Sequence, residues 1–549
     1  MNAHGYLLAI SIGPVQDFIA ASRKTRDLWY GSELLSRCAR AAADSLQNAG
    51  AQLIYPALVN GQGSTPNKLL ARLPAGDPSS VAQQAEHVAR QVMLDGLDRL
   101  RQHGRASTLV NWNLARAQAE QFLEFYAAWV PYDPAKPETY AAQRERVEQL
   151  LAGRKALRDF TPAPDLDQFF PARVTVRAGG RITGAAKSSL DPGRDTVFQK
   201  NGLPLSAGDP GRRLSDEERG RLGIKRGEQL DGISLLKRLD ERVRFVSVVR
   251  VAMDPFIRRL EARAPEALSD LRTFVERELE PLGLAERFST GPGSGLEQYQ
   301  PFPYDCQLIF GRLELEEALS EERKEVATRF ERIVHQAKRA AGIEGEIPAY
   351  VAVLHADGDR MGAAISALRT PEAHQAFSQR LSRFASEARQ IVAQHSGALI
   401  YSGGDDVLAF LPLDTALACA DALRRRFDQT VNDGSTGEAR VTLSVGLAIG
   451  HYGEHLQELV QWSRDAEKAA KNAGRNALAV ALHTRSGGGE PVTVTTPWTS
   501  DPLARWQRWI AWHREDRFPR WRRLRAAGAG AGARRGTAIR PPRPAVPQA

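Results

Sequence analysis

At 549 residues, 42% hydrophobic and 25% charged, the chain has the make-up of a globular protein but is too long for one hydrophobic core, so about three or four domains of about 150 residues are expected. No apolar stretch approaches the roughly 20 residues of a bilayer span, and the N-terminus lacks the basic flank and cleavage site of a secretion signal, which argues against a membrane or exported protein and for the cytoplasm. The net charge of +9 is a weak sign of nucleic acid: from Arg505 to Ala549, 12 Arg stand against Glu515 and Asp516, a balance of +10, so the remainder carries −1.

In chain order, a strand is expected over 6–12, then a long helix from about Val15 to Gln47 and a short strand, Leu53-Ile54-Tyr55. The run Phe122 to Val130 reads as a third strand. Gly202 to Gly220, rich in Gly, Pro, Asp and Arg, reads as a loop. A helix starting at Ser320 ends near Lys338-Arg339 with Gly342 as its cap, acidic first and basic last as the helix dipole prefers. The clearest unit runs from about Ala349 to Leu482. It opens with a strand over 349–354, a helix started by Thr370 and Pro371 and closed by Gly397, and a hairpin at Gly403-Gly404. A helix from about Asp414 to Thr430, a strand over 441–449, a helix from about Glu454 to Ala473 and a strand over 477–482 follow. This order begins β-α-β-β-α-β, the ferredoxin-like arrangement, and the N-terminal region reads as a diverged second copy of it. From Ala526 to Ala549 the chain is Gly/Ala-rich and then Arg/Pro-rich, a low-complexity segment expected to be disordered. Cys38, Cys306 and Cys419 form no CxxC pair, which indicates neither a disulfide framework nor a cysteine-rich zinc site.

The chemistry concentrates in Gly403-Gly404-Asp405-Asp406, set between the apolar runs Ala398 to Tyr401 and Val407 to Phe410, and in Asp357-Gly358-Asp359, 48 residues before Asp405. Gly-Gly-Asp-Asp alone is also good turn chemistry. Three acidic groups expected at one sheet edge repel one another, however, an expense without motive unless a cation is present. Successive strand side chains point to opposite faces, so Asp405 rather than Asp406 is expected to coordinate metal, converging with Asp357 on two Mg²⁺ or Mn²⁺ ions about 3.5–4 Å apart. Lys471, in the last turn of its helix, either reaches a triphosphate or compensates the helix dipole. Ser402 and Tyr401 lie beside the tetrad, where such residues reach nucleotide or serve the strand alone.

The tetrad, the upstream aspartate and Lys471-Asn472-Ala473-Gly474-Arg475-Asn476 resemble the GGDEF diguanylate cyclases and, more distantly, class III nucleotidyl cyclases and palm polymerases. Asp406-Val407, however, stands where a GGDEF enzyme has Glu-Phe. The strings Ile12 to Ile19 and Arg23 to Ser36 resemble the signature of the large polymerase/cyclase-like subunit of type III-B CRISPR RNA-targeting complexes, the Cmr complexes. Lys187 to Asp191, Gly227 to Leu230 and Asp357 to Gly362 match the same family. The resemblance implies an α/β (α+β) chain with two ferredoxin-like palm/nucleotidyl-cyclase domains, over 1–200 and 346–485. It also implies a largely helical middle domain over 201–345 and a short, incomplete helical C-terminus over 486–549. ATP would bind between the palms, and only the second palm carries the metal motif. Asp357, Asp405 and Asp406 are then the catalytic set, with Gly358, Asp359, Ser402, Gly403, Gly404 and Lys471 on the nucleotide. A guide CRISPR RNA, a complementary target RNA and other Cmr subunits would be the partners, in a hetero-oligomer that turns ATP into cyclic oligoadenylates.

The helix Arg23 to Ser36 either lines the pocket of a second ATP or packs the palm, and Trp29 with Leu34-Leu35 favours packing. None of the 11 His is followed by Asp, so no HD-type nuclease is expected. The Gly/Ala/Arg-rich sequence after Pro519, where relatives continue into a helical bundle, reads as a truncation or frameshift. A stand-alone dinucleotide cyclase and a non-catalytic scaffold are the competing readings.

Overall fold

The computed structural model describes residues 5–57, 65–74, 76–102, 108–157, 175–176, 182–183, 186–205, 211, 213–239, 245–292, 294–310, 321–433, 440–485, 491–515 and 517. The expected low-complexity tail lies outside them.

The N-terminal sheet has four strands, β1 (Tyr6–Gly13), β2 (Gln52–Tyr55), β3 (Lys68–Leu73) and β4 (Glu124–Pro131), in the antiparallel order β2-β3-β1-β4. That is the ferredoxin-like order, so the expectation of a palm here is met by the fold itself. The expected helix over 15–47 is broken in two, α1 (Gln16–Ala20) and α2 (Thr25–Asn48). The break has a local cause: the Asp27 carboxylate accepts hydrogen bonds from the Arg23 and Lys24 backbone N–H groups at 3.1 and 3.0 Å, which starts a new helix there. Helices α3 (Pro78–Gln102) and α4 (Trp112–Glu120) then return the chain to β4, and α5 (Tyr140–Ala156) covers the reverse face through Tyr140, Val147 and Leu151.

The C-terminal sheet has six strands: β5 (Tyr350–Asp359), β6 (Ala398–Gly403), β7 (Asp406–Pro412), β8 (Thr442–His451), β9 (Ala477–Leu482) and β10 (Val492–Pro497). Their order is β6-β7-β5-β8-β9-β10, whose first four members repeat the N-terminal pattern. Helices α6 (Pro371–Gln394) and α7 (Ala416–Val431) bury Phe384, Ala388, Leu423 and Phe427 on one face against Ala352, Leu354, Val407 and Ala409. On the other face α8 (Leu456–Asn472) lies on β8. Its backbone is so close that a Cβ on Gly446 would sit 2.2 Å from Glu467 N, which is why that position is glycine.

Between the sheets the chain is mainly helical, including α9 (Val248–Arg263), α10 (Pro265–Phe274) and α11 (Glu321–Ala340) around Phe256, Leu271 and Phe330. The expected loop over 202–220 instead contains a strand, Leu203–Pro204, and the start of a helix, Asp216–Leu222, capped by Ser215. No helix among the described residues is long and apolar enough to cross a membrane.

Two sets of contacts bind these parts together. The first gathers three of the motif strings. Arg238, 2% exposed, donates to Asp27 on α2 (2.8 Å) and to Glu228 (2.9 Å), while Gln229 N donates to Ser189 Oγ (3.0 Å). The second joins the sheets: Tyr140 Oη meets His374 Nδ1 at 2.7 Å, and Arg144 of α5 donates to the carbonyls of Ile365, Ser366 and Leu368 at 2.7, 3.2 and 3.1 Å. Those carbonyls end the short helix α12 (Met361–Ala367), which follows β5 directly.

Burial alone would raise the Asp27 and Glu228 carboxyls, but the Arg238 guanidinium overcomes it and holds both below the usual carboxylate range. Arg238→Met is therefore expected to cost about 3–5 kcal/mol, because it strands two buried anions. The lowered carboxyls contribute stability above their unfolded pKa that is lost as pH falls through the folded values, so the acid sensitivity of the wild-type denaturation midpoint should diminish in the variant.

Candidate active site

The tetrad forms a two-residue hairpin. Gly403 pairs with Asp406, and Gly404 and Asp405 make the turn, with Gly404 at φ +82°, a value that favours glycine. Hairpin strand β7 runs antiparallel to β5 in a register that pairs Ala356 with Val407. One further step sets Asp406 opposite Asp357 and Asp405 beside Gly358. Directly opposed residues of an antiparallel pair have Cβ atoms about 4.5–5.5 Å apart, so the carboxylates do meet at one sheet end. They divide differently from the expectation. Asp406, not Asp405, shares the face of Asp357, while Asp405 lies against Gly358, where an added Cβ would stand 2.8 Å from Asp405 Oδ2. The lack of a side chain at Gly358 is what admits Asp405.

Strand β5 runs through Asp359, five residues beyond its expected end, so Asp357 and Asp359 are strand residues two apart on one face. Their surroundings give them different work. Asp359, 2% exposed, accepts from Thr442 Oγ1 (2.6 Å), Ser444 Oγ (2.7 Å) and Asn476 N (3.0 Å). It thus pins β8 and the turn after α8 to β5, and as placed it spends its oxygens on protein rather than on nucleotide. The Lys-x-x-Gly-Arg-Asn string supplies that turn: Gly474, Arg475 and Asn476 have φ of +113°, +67° and +46°, which aims the Asn476 N–H at Asp359. Asp357 is partly open, and Lys471 Nζ makes an ion pair with its Oδ2 while standing 2.9 Å from Glu467 Oε1. Ser402 is buried, and its hydroxyl has no hydrogen-bond partner among the described residues.

Several side chains at the site were not anticipated. His355 stands two residues before Asp357 on the same face, with Nδ1 3.9 Å from Glu467 Oε2 and without a hydrogen bond on that nitrogen among the described residues. Burial pushes its pKa down to about 4, against the pull of Asp406. Tyr401, already read from the sequence as lying beside the tetrad, hydrogen-bonds Asp406, while Tyr55, not expected there, arrives from the N-terminal sheet, its Oη 3.5 Å from where a Cβ on Gly404 would be. Glu467 had one available signal, since it lies four residues before Lys471 on a helix, the spacing at which Glu and Lys pair.

Burial first and the charge of Asp406 second push Asp405 up to about 7, and Asp406 is raised mainly by burial. Glu467 is also pushed up to about 7, by burial and then by Asp406 and Asp359. Burial lowers Lys471, as does Arg475. A divalent cation would relieve this stress, and the hard carboxylate oxygens of Asp357, Asp405 and Asp406 suit Mg²⁺ or Mn²⁺. No group of three His, Cys, Asp or Glu among the described residues forms a ready metal cage. That agrees with ions that take one or two carboxylates and complete their shell with phosphate and water.

Two outcomes follow from the ion-free geometry. Mn²⁺ affinity, followed by electron paramagnetic resonance, should rise between pH 6 and 8 and level off above about 8, because Asp405 releases its proton around pH 7. Lys471→Met should raise Mn²⁺ affinity several-fold without nucleotide, since Lys471 occupies Asp357, and weaken triphosphate binding.

Comparison with known proteins agrees with this geometry. Residues 350–479 match the second palm domain of Cas10/Cmr2, and residues 7–96 match the N-terminal model of the CRISPR-associated protein Cmr2. A curated relative, the CRISPR system Cmr subunit Cmr2 of Pyrococcus furiosus, is 35% identical over 170 residues. That alignment covers 26% of this chain and 19% of the relative, so the match spans about a fifth of it. Among solved structures, a type III-B Cmr-beta complex in its apo state superposes with a TM-score of 0.61 at 15% identity, over 90% of this chain and 70% of that one. The same complex bound to cognate target RNA gives 0.60 at 15% identity, over 90% and 71%. The chain thus carries a region of the Cmr2 N-terminal family over residues 7–96 and a second palm of the Cas10/Cmr2 family over residues 350–479.

Proposed function

We propose that the chain is the nucleotidyltransferase subunit of a type III-B RNA-guided complex and that target RNA switches on its conversion of ATP to cyclic oligoadenylates. The observation that carries this reading is the sheet end where Asp357, Asp405 and Asp406 converge beside a basic residue, Lys471. Other Cmr subunits, a guide CRISPR RNA and a target RNA are the partners, as in the Cmr-beta complex with its cognate target. The division into a first palm over 1–200, a middle domain over 201–345, a second palm over 346–485 and a C-terminal remnant over 486–549 belongs to the same proposal.

Asp357 and Asp406, which share a face, would hold Mg²⁺ or Mn²⁺, with Asp405 completing the acidic set from beside Gly358. The bound ions supply Lewis acidity toward the α-phosphate and lower the pKa of the attacking 3′-hydroxyl. The chain's own residues prepare the rest. Gly403 and Gly404 leave the turn bare so that phosphate oxygens come close to backbone N–H groups. Gly358 gives Asp405 its place, and Asp359 holds β8 and the Asn476 turn in line. Lys471 exchanges Asp357 for the triphosphate, helping to balance its charge. Ser402 and Tyr55 face the hairpin from its other side, where the unpartnered Ser402 hydroxyl is available to nucleotide.

A scaffold role without chemistry is the second reading, favoured by the ion pair that already ties Asp357 to Lys471. The two separate in one experiment. The complex reconstituted with guide RNA is given ATP, Mg²⁺ or Mn²⁺ and target RNA, and cyclic products are resolved by chromatography. Asp405→Ala/Asp406→Ala should cut product by about 100-fold or more with complex assembly intact, whereas a wild-type complex that assembles and makes nothing would establish the scaffold.

A further inference from the structure

The helix Arg23 to Ser36, expected either to line the pocket of a second ATP or to pack the palm, packs the palm with one face and borders a cavity with another. Leu28, Leu34 and Leu35 are buried in the core, while Thr25, Trp29, Glu33 and Arg37, four residues apart along α2, line a cavity of about 120 Å³. On that measure one water needs about 10–15 Å³, so the space takes a ligand several atoms across. The cavity sits where three parts of the chain meet. The other walls are Phe245 and Ser294–Leu296 from the middle region, and Arg389 with Gly397–Ile400 from the C-terminal palm. The cavity is lined by Ala398 to Ile400 at the start of β6, whose last residue is Gly403, so its wall lies about 10–16 Å along the strand from the acidic hairpin and is separate from it.

The walls have a definite chemistry. Trp29 and Phe245 present two partly exposed aromatic rings to the same space. Glu33 and Arg37 neutralise each other in a 3.0 Å ion pair. Arg389 is exposed at the cavity and makes no hydrogen bond or ion pair among the described residues. The Glu33 carboxylate that it senses is already taken by Arg37. The cavity therefore carries a surplus guanidinium beside aromatic surface, a combination suited to an anion attached to a flat ring: guanidinium binds phosphate in a planar fork, and bases stack on aromatic faces whatever their identity.

We propose that this cavity is a second nucleotide site, which takes one nucleoside monophosphate unit with its base against Trp29 and Phe245 and its phosphate on Arg389. The unit is either a free nucleotide or one residue of a single-stranded RNA, and the chemistry at the cavity is the same for both. The site goes beyond the proposed ATP chemistry and does not depend on it.

Titration calorimetry on the full chain in EDTA tests it, with AMP in one arm and an unstructured five-nucleotide RNA in the other. At least one probe should bind with one-to-one stoichiometry. Arg389→Gln should weaken that binding by about tenfold, with Arg389→Lys partly restoring it, and Trp29→Ala should weaken it similarly. Asp405→Ala/Asp406→Ala should leave it unchanged. Tighter binding of AMP than of RNA identifies a free nucleotide as the occupant, and the reverse identifies a strand. Failure of both probes to bind, binding indifferent to Arg389→Gln, or binding lost in the aspartate double variant instead would overturn the proposal. Arg389 is exposed, so its variants keep the fold and the result is decisive even if Trp29→Ala unsettles α2.

Discussion

Carboxylates gathered at the end of β5 and its hairpin repel one another where water screens them poorly, and the second palm is built around that repulsion. Each acid is handled by a different device. Asp359 is satisfied by three donors and becomes a fastener. Asp357 is balanced by Lys471. Asp405 and Asp406 have no such cation, and burial pushes both toward the protonated form. Electrostatic stress is thus left on Asp405 at the turn and Asp406 at the start of β7, with Glu467 raised beside them.

The two palms show what the shared strand order does and does not transmit. Both sheets place the hairpin's second strand beside the first strand of the fold. In the C-terminal copy this brings the tetrad to Asp357, whereas the N-terminal β2–β3 connection has no acidic counterpart. The N-terminal palm contributes from outside instead: Tyr55 reaches the Gly404 turn, Ala57 N donates to Ser378 Oγ at 2.8 Å, and Arg144 caps α12. Duplication here yields one site with a supporting wall, and the wall is the diverged copy.

Much of this was legible in the residues, and the reasons for the rest are specific. Hydrophobic alternation and capping residues located β6, β7, β9 and α6 closely, since each combines a strong pattern with a clear boundary such as Thr370-Pro371 or the Gly-Gly turn. β3 passed unnoticed because only Leu69-Leu70-Ala71 separate its basic residues, too short an apolar run to assign, and β10 because an edge strand of Val and Thr buries little. The tetrad's position was readable, but the face of each aspartate was not. That depends on the register between β5 and β7, which is set by contacts between strands more than 40 residues apart in the chain. The strings around Arg23, Ser188 and Glu228 carried a family likeness without a visible role, because a buried guanidinium that unites them is recorded nowhere in their local patterns.

The short helix α12 is anchored at both extremities to different halves of the protein. Met361, at its start, crowds Gly358 together with Asp405, and its final carbonyls are gripped by Arg144 from the N-terminal palm. A strut of seven residues has little compliance of its own. Any pivoting of one half on the other is thus delivered to the turn that carries the acids, which makes the angle between the halves a mechanical input to the spacing of the carboxylates.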